Sequence, residues 1–167
     1  RAGIKQVIVP DRNKGDVDEI PEGERAGLEF IYVDEIGDAL KGWFAVWLVQ
    51  RFGPSVGIGD WGVALAGIAV FLGHLYPVFF AFKGGKGVAT AAGVIVALNP
   101  WLALAAGLTW LIIAFFFRYS SLASMVAAVF ATFYSAFGWG FDQRFVAVAV
   151  IAGFVIYRHQ GNIRNLM

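Results

Sequence analysis

Three glycines and two lysines make up the segment 83–87 (KGGKG), which lies between two apolar runs. Glycine lets backbone N–H groups converge on an anion, and a helix beginning near Val88 would direct the positive end of its dipole at the same place. The sequence therefore predicts a phosphate-binding loop formed by Lys83, Gly84, Gly85, Lys86 and Gly87. ATP is not predicted, because the pattern G-x-x-x-x-G-K-[ST] is absent. The alternative is a basic, flexible loop at the cytoplasmic edge of a membrane.

A second polar segment, 157–164 (YRHQGNIR), follows the last apolar run. Arg158 suits phosphate because a planar guanidinium can donate two hydrogen bonds side by side. His159 is neutral for much of the time near pH 7, so it is a candidate proton acceptor. The same segment also carries an amide, Asn162. The alternative is a basic stop at the end of a helix.

Other polar residues near the ends of apolar runs are assigned structural roles. Ser120 or Ser121, after Arg118, is expected to cap the next helix. His74, near the end of its run, is expected to be a packed or hydrogen-bonded helix residue. Lys41 is expected to extend its amine to the membrane interface.

The composition indicates a membrane protein. Of the 167 residues, 59% are hydrophobic and 15% charged, whereas a soluble domain has about a quarter of its residues charged. A net charge of +1 argues against a nucleic-acid partner. The absence of cysteine excludes disulfides and thiolate metal sites, and two histidines argue against a histidine-built metal site. The charged N-terminus does not resemble a cleavable signal peptide.

Charge divides the chain into two predicted domains. All but two of the acidic residues lie within 1–38. Residues 1–37 contain two runs, 4–9 and 28–33, whose composition predicts strands. This piece is predicted to be a short soluble α/β-like fragment that is too small to be stable alone. Residues 38–167 are predicted to be an all-α polytopic membrane domain.

The second domain is predicted to contain about six transmembrane helices, because a bilayer core of about 30 Å needs about 20 helical residues. The candidate runs are 39–50, 61–82, 88–98, 101–117, 121–139 and 145–157. If the helices alternate in direction, one face receives five cations and no carboxylate, namely Lys83, Lys86, Arg118, Arg158 and Arg164. The positive-inside rule makes this face cytoplasmic. A cation cluster beside an apolar wall predicts a site for an amphiphile with a phosphate head.

Three segments resemble signature regions of PlsY, the bacterial family of acyl-phosphate:glycerol-3-phosphate acyltransferases. They are 73–90 (GHLYPVFFAFKGGKGVAT), 118–124 (RYSSLAS) and 158–163 (RHQGNI). The segment 38–46 (DALKGWFAV) is similar to the start of that family's second transmembrane helix. The resemblance runs in collinear order over residues 38–167.

This resemblance implies transfer of a fatty acyl group from acyl phosphate to the 1-hydroxyl of glycerol 3-phosphate, giving lysophosphatidic acid in phospholipid synthesis. It implies a multi-pass protein of the bacterial inner (plasma) membrane with a cytoplasmic active face. The implied partners are the two substrates and the lipid bilayer, with no cofactor, no metal and no obligate protein partner. The implied catalytic residues are His159 and Asn162, and the implied phosphate-binding residues are Lys83, Gly84, Gly85, Lys86, Gly87, Thr90 and Arg158.

The chain departs from the PlsY pattern at its front. The family's first transmembrane helix and its motif of the type G-S-G-N-x-G-A-T-N have no counterpart here. Residues 1–36 instead resemble the C-terminal end of the Lon protease domain. Because Lon's catalytic serine and lysine lie upstream of that segment, no peptidase activity is expected. The chain is therefore expected to join a Lon-like end, 1–37, to an N-terminally truncated PlsY-like domain, 38–167.

Two alternatives to an acyltransferase stay open. One is a non-catalytic membrane protein, either an inactive truncated fusion or a carrier that binds a phosphate-headed ligand. The other is a Lon-type fragment, which accounts for the front of the chain only.

Overall fold

The computed structural model describes residues 6–10, 20–25, 28–33, 35–77 and 85–164. The chain divides into two compact units, Arg1–Gly37 and Asp38–Met167. The first is built on a pair of parallel strands, and the second is helical.

The first unit pairs strand β1 (Gln6–Pro10) with strand β2 (Glu29–Val33). The register sets Gln6 opposite Glu29 and Pro10 opposite Val33. A single-turn helix, α1 (Glu22–Arg25), lies between the strands in the chain. Both predicted strands, 4–9 and 28–33, are therefore found with slightly shifted ends, and residues 4 and 5 lie outside the described residues.

Each of the six predicted apolar runs corresponds to a separate helix, and the first of these helices begins at Glu35, before the second unit. The helices are α2 (Glu35–Phe52), α3 (Asp60–Leu75), α4 (Val88–Leu98), α5 (Pro100–Phe117), α6 (Ser120–Trp139) and α7 (Gln143–Arg158), followed by the short α8 (Gln160–Arg164). A 3₁₀ turn, Gly53–Val56, follows α2.

Within the described ranges, α5 and α6 are long and apolar enough to cross a membrane, with mean hydropathies of 2.0 and 1.5. The helices α3 and α4 are apolar but shorter. Large apolar side chains cover the outer surface of α5, where Phe115 and Phe116 are 78% and 73% exposed. Such a continuous apolar surface is typical of contact with lipid rather than water.

Capping residues explain where α5 and α7 begin. The Asn99 side chain accepts hydrogen bonds from the N–H groups of Trp101 and Leu102 at 2.8 and 3.2 Å, and Pro100 occupies the first turn. Asp142 caps α7 in the same way, accepting from the Arg144 and Phe145 N–H groups at 3.0 Å each. Asn99 and Pro100 therefore separate the predicted runs 88–98 and 101–117 into two helices.

Two predicted helix ends were wrong. The run 61–82 was expected to be one helix, but α3 ends at Leu75, since Pro77 disfavours helical geometry at Tyr76; residues 78–82 lie outside the described residues. Either Ser120 or Ser121 was expected to cap α6. The cap residue is Tyr119, which makes no side-chain cap bond, and Ser120 already belongs to the helix.

Helices of the second unit pack in sequence, with α5 on α6 and α6 on α7, while α4 contacts α3, α5 and α7. Glycines allow α2 to cross α4 closely. A Cβ on Gly42 would overlap the carbonyl oxygen of Thr90, and one on Gly93 would overlap that of Ala39. Small residues at helix crossings allow this approach in membranes. The buried core includes Val46 of α2, Phe71 and Leu75 of α3, Val94 of α4, and Ile151 and Val155 of α7.

Candidate functional site

Short connections bring the predicted polar segments to one end of the helices. Only residues 118–119 separate α5 from α6, and 140–142 separate α6 from α7, so these neighbours run in opposite directions. Residue 99 alone separates α4 from α5. The start of α4, the turn at Arg118 and the end of α7 therefore lie at the same end. A hydrogen bond between Arg158 and Gly85 joins two of the three segments directly.

Gly87 fixes the point at which the loop turns into α4. It is the N-cap residue, with φ 78° and ψ 5°, in the left-handed region that favours glycine. A Cβ here would lie 2.5 Å from Leu75 Cδ1 and 2.6 Å from Phe71 Cε2. Both conformation and space therefore require glycine, and the N–H groups of the first turn of α4, which have no partner within the helix, follow immediately.

Gly85 is held from two sides. Arg158 Nη2 donates to its carbonyl oxygen at 3.2 Å, and the same guanidinium lies 5.9 Å from the centre of the Tyr76 ring. On the other side, a Cβ built on Gly85 would lie 3.1 Å from His74 Nε2. Gly85 is thus located between the last turn of α3 and the last turn of α7.

His159 follows the last residue of α7 and is 2% exposed. Its Nδ1–H donates to the Val155 carbonyl oxygen at 2.7 Å, because a carbonyl can only accept. Burial lowers the pKa of His159 below its usual 6.5. The hydrogen bond to Val155 raises the pKa in part, and the positive charge of Lys86 lowers it further. The ring is therefore neutral at pH 7, and Nε2 is the nitrogen with an available lone pair.

Lys86 supplies positive charge between the two glycines. The Lys86 side chain is exposed but partly surrounded by protein. Desolvation of the surrounded part lowers the pKa of its amine from the usual 10.5. Its charge acts on His159, so the loop cation and the imidazole belong to one electrostatic cluster.

A carboxylate also lies at this end, and the expectation of a face without one was wrong. Asp38 Oδ1 is 2.9 Å from Lys41 Nζ and 3.4 Å from His74 Nδ1. Asp38 was not counted among the charges at this end because it precedes the first apolar run. Counting it with the loops would have placed it here, since α2 starts at the end where α3 finishes. His74 lies in α3 beside this carboxylate, and the exposed Lys41 side chain pairs with it.

The remaining candidate residues that the structure describes are Thr90, Asn162 and Arg118. Thr90, in the first turn of α4, is fully buried, and its hydroxyl has no hydrogen-bond partner among the described residues. Asn162 is half-buried in α8. Arg118 is exposed at the end of α5. Lys83 and Gly84 lie outside the described residues.

The arrangement can bind a phosphate and accept a proton at one place. Backbone N–H groups at the start of α4, the Lys86 ammonium and the Arg158 guanidinium are all donors to an anion. The neutral imidazole of His159 is an acceptor. Among the described residues, no three His, Asp or Glu side chains come together to ligate a metal ion.

Comparison with known proteins places these features in a family. The family model described as glycerol-3-phosphate acyltransferase matches residues 25–167. The glycerol-3-phosphate acyltransferase of Burkholderia pseudomallei (strain K96243) is 64% identical over 134 residues, covering 79% of this chain and 64% of the relative. That of Herminiimonas arsenicoxydans is 57% identical over 132 residues, with the same coverage of 79% and 64%.

Two solved structures are also similar. Both are crystal structures of PlsY, an integral membrane glycerol 3-phosphate acyltransferase, in its lysophosphatidic acid and glycerol 3-phosphate forms. Each has a TM-score of 0.73 and 42% identity, with 79% of this chain covered. The match covers 66% and 64% of those chains, so this chain spans just under two thirds of the relatives' length.

Fold and site together define a helical membrane protein with a cationic, glycine-lined site at one end of its helices. The chain belongs to the glycerol-3-phosphate acyltransferase family, which includes the PlsY enzymes. The resemblance read from its motifs is confirmed. A second family model, the C-terminal proteolytic domain of Lon protease (S16), matches residues 1–45.

Proposed function

We propose that this chain transfers a fatty acyl group from acyl phosphate to the 1-hydroxyl of glycerol 3-phosphate, giving lysophosphatidic acid and inorganic phosphate. The hydroxyl oxygen forms a bond to the acyl carbon, the bond from that carbon to the phosphate oxygen breaks, and the hydroxyl proton is transferred to a base. Acyl phosphate is already activated, so the protein has mainly to position two anions and stabilise the oxyanion.

The observation that carries this proposal is the hydrogen bond from Arg158 to Gly85, beside Lys86 and the buried His159. It brings an anion-binding loop and a neutral base together from two segments more than seventy residues apart. The relatives that share the family are named glycerol-3-phosphate acyltransferases, and they support the choice of substrate.

In the proposed site, the loop from Lys83 to Gly87 binds a substrate phosphate, with the first turn of α4 behind it. Arg158 fixes the loop through Gly85 and donates to the same phosphate. His159 accepts the hydroxyl proton at Nε2, since its Nδ1–H is engaged by Val155. Asn162 orients the substrate by hydrogen bonding. The hydroxyl of Thr90, in the first turn of α4, lies at the base of the phosphate-binding loop.

The proposal includes the setting of the site. The six helices α2 to α7 span the inner membrane of a bacterium, with the Lys86 end in the cytoplasm. The cation-rich loops at that end support this orientation by the positive-inside rule. The acyl donor approaches from the bilayer, where the apolar faces of the helices accommodate its chain.

Residues 1–37 are proposed to be a Lon-like fragment joined to the acyltransferase domain at 38–167. The family model that matches residues 1–45 supports this origin. No role in the acyl transfer is assigned to it.

The binding half of the proposal is tested by protection of lysine from an amine-reactive reagent. Membranes containing the chain are labelled with and without glycerol 3-phosphate, and the labelled lysines are identified by mass spectrometry. We expect glycerol 3-phosphate to protect Lys86 and glycerol, which lacks the phosphate, to leave it reactive. Equal labelling of Lys86 in all samples would contradict the assignment.

The catalytic half is tested with Lys86→Ala and Asn162→Ala. Each is expected to weaken substrate binding, seen as a higher KM for glycerol 3-phosphate. Unchanged kinetics in both variants would refute the site. Phosphate binding without product would instead favour the non-catalytic membrane protein.

A further inference from the structure

We infer that His74, oriented by Asp38, is a positioning residue that sets the place of Gly85 in the phosphate-binding loop. This inference rests on the proposed function, because the loop is the one to which substrate binding has been assigned. It concerns residues outside the proposed binding set.

The first observation is the carboxylate that lies beside one edge of the imidazole. His74 lies in the last turn of α3, and its Nδ1 is 3.4 Å from Asp38 Oδ1 in the first turns of α2. Lys41 holds the same carboxylate oxygen at 2.9 Å. A carboxylate on one ring nitrogen of histidine fixes the orientation of the ring and so the direction of the other nitrogen.

The second observation is what the other ring nitrogen contacts. A Cβ built on Gly85 would lie 3.1 Å from His74 Nε2 and 3.8 Å from Cε1. A methyl group at this position would press against the imidazole, which would have to give way by a few tenths of an ångström.

The third observation is the bond on the opposite side of the residue. Arg158 Nη2 donates to the Gly85 carbonyl oxygen at 3.2 Å. Gly85 is thus located between His74 of α3 and Arg158 of α7, and Lys86 follows it in the chain. If the ring is removed, one of these two supports is lost and the loop can shift, while Arg158 and Lys86 themselves are unchanged.

A shift of the loop should affect substrate binding more than the chemical step. We expect His74→Ala to raise the KM for the phosphate substrate held by the loop by about 10- to 100-fold, with a smaller change in kcat. His74→Gln, whose amide still reaches the loop, should recover most of the loss. Asp38→Asn, which keeps the size but not the charge, should give an intermediate KM. Unchanged KM values for both substrates in His74→Ala would overturn the inference.

A double-mutant cycle separates positioning from general damage. Gly85→Ala in the natural background forces its methyl group against the imidazole, whereas His74→Ala provides the missing space. The double variant His74→Ala/Gly85→Ala is therefore expected to be no worse than His74→Ala alone, because contacting residues are not additive. Additive losses would overturn the inference. Thermal unfolding of each variant identifies one that fails to fold.

The outcome can be separated from failure of the proposed function. If the natural chain makes no lysophosphatidic acid, the proposed function fails, and loop position is then measured by the rate at which an amine reagent modifies Lys86. His74→Ala is expected to speed this modification, and His74→Gln to restore the natural rate. Equal rates in all three proteins would overturn the inference.

Discussion

Replacing Gly87 with alanine perturbs the junction between the phosphate-binding loop and α4. The new methyl group would meet two obstacles. The backbone at φ 78° disfavours a residue with a Cβ, and the methyl would lie 2.5 Å from Leu75 and 2.6 Å from Phe71, which are both fully buried. Neither buried side chain can move into solvent to make room.

The expected loss of stability follows from these two contributions. The left-handed conformation costs a residue with a side chain about 1–2 kcal/mol, and an added methyl in a packed core costs about 1–3 kcal/mol. Gly87→Ala should therefore lower the free energy of unfolding by about 2–5 kcal/mol. Gly57 is a matched control, because it has φ 80° and nothing within 4 Å of a built Cβ. Gly57→Ala should therefore lower the free energy of unfolding only by the cost of the left-handed conformation, about 1–2 kcal/mol.

The assay is denaturant unfolding in detergent micelles, followed by the fluorescence of the six tryptophans. The reasoning predicts that Gly87→Ala is less stable than Gly57→Ala by about 1–3 kcal/mol. It also predicts a raised KM for glycerol 3-phosphate in Gly87→Ala, because the loop would have to move. Equal losses in the two variants would refute the packing argument.

Three further predictions concern the helix crossing, a helix cap and the buried histidine. Gly93→Ala should lower the free energy of unfolding by about 1–3 kcal/mol, because its methyl would overlap the Ala39 carbonyl oxygen. Gly153→Ala, with open space around it, should be neutral or slightly stabilising. Equal effects of the two variants would contradict the close packing of α2 on α4. Asp142→Ala should cost about 1 kcal/mol by loss of the α7 cap, measured by denaturant unfolding, and Asp142→Asn should keep most of it; a neutral alanine variant would contradict the cap. Burial lowers the pKa of His159 below 6.5, so kcat/KM should stay constant down to pH 6.5 and fall only at lower pH, where the ring is protonated. The free energy of unfolding should also decrease as the pH falls, because the unfolded chain binds the proton more readily than the folded one. A fall beginning above pH 6.5 would contradict a buried, neutral base.

Helices were predictable where breaker residues bound an apolar run. The run 88–98 coincides with α4, because Gly87 turns the chain before it and Asn99-Pro100 ends it. The end of α3 was missed because the apolar run continues past Pro77, so hydropathy gave no boundary. The cap of α6 was missed because serine often caps helices, and here Tyr119 takes that position without a side-chain bond.

The candidate site could be predicted only in part. Glycine and lysine in one short segment identify the loop, and topology places the Arg158 segment at the same end. The contact between Asp38 and His74 could not be read from the sequence, because it depends on how α2 and α3 pack. Sequence also gave no sign that His159 would be buried, since arginine precedes it and a polar segment follows. Its hydrogen bond to Val155, one helical turn back, became visible only with the fold.

Formation of lysophosphatidic acid tests the central claim most directly. Membranes containing the 167-residue chain are given acyl phosphate and labelled glycerol 3-phosphate, with the Lys86→Ala chain as the comparison. We expect labelled lysophosphatidic acid with one phosphate released for each product molecule, and much less product from Lys86→Ala at low glycerol 3-phosphate. Absence of product from the natural chain, or equal product from both chains, would contradict it.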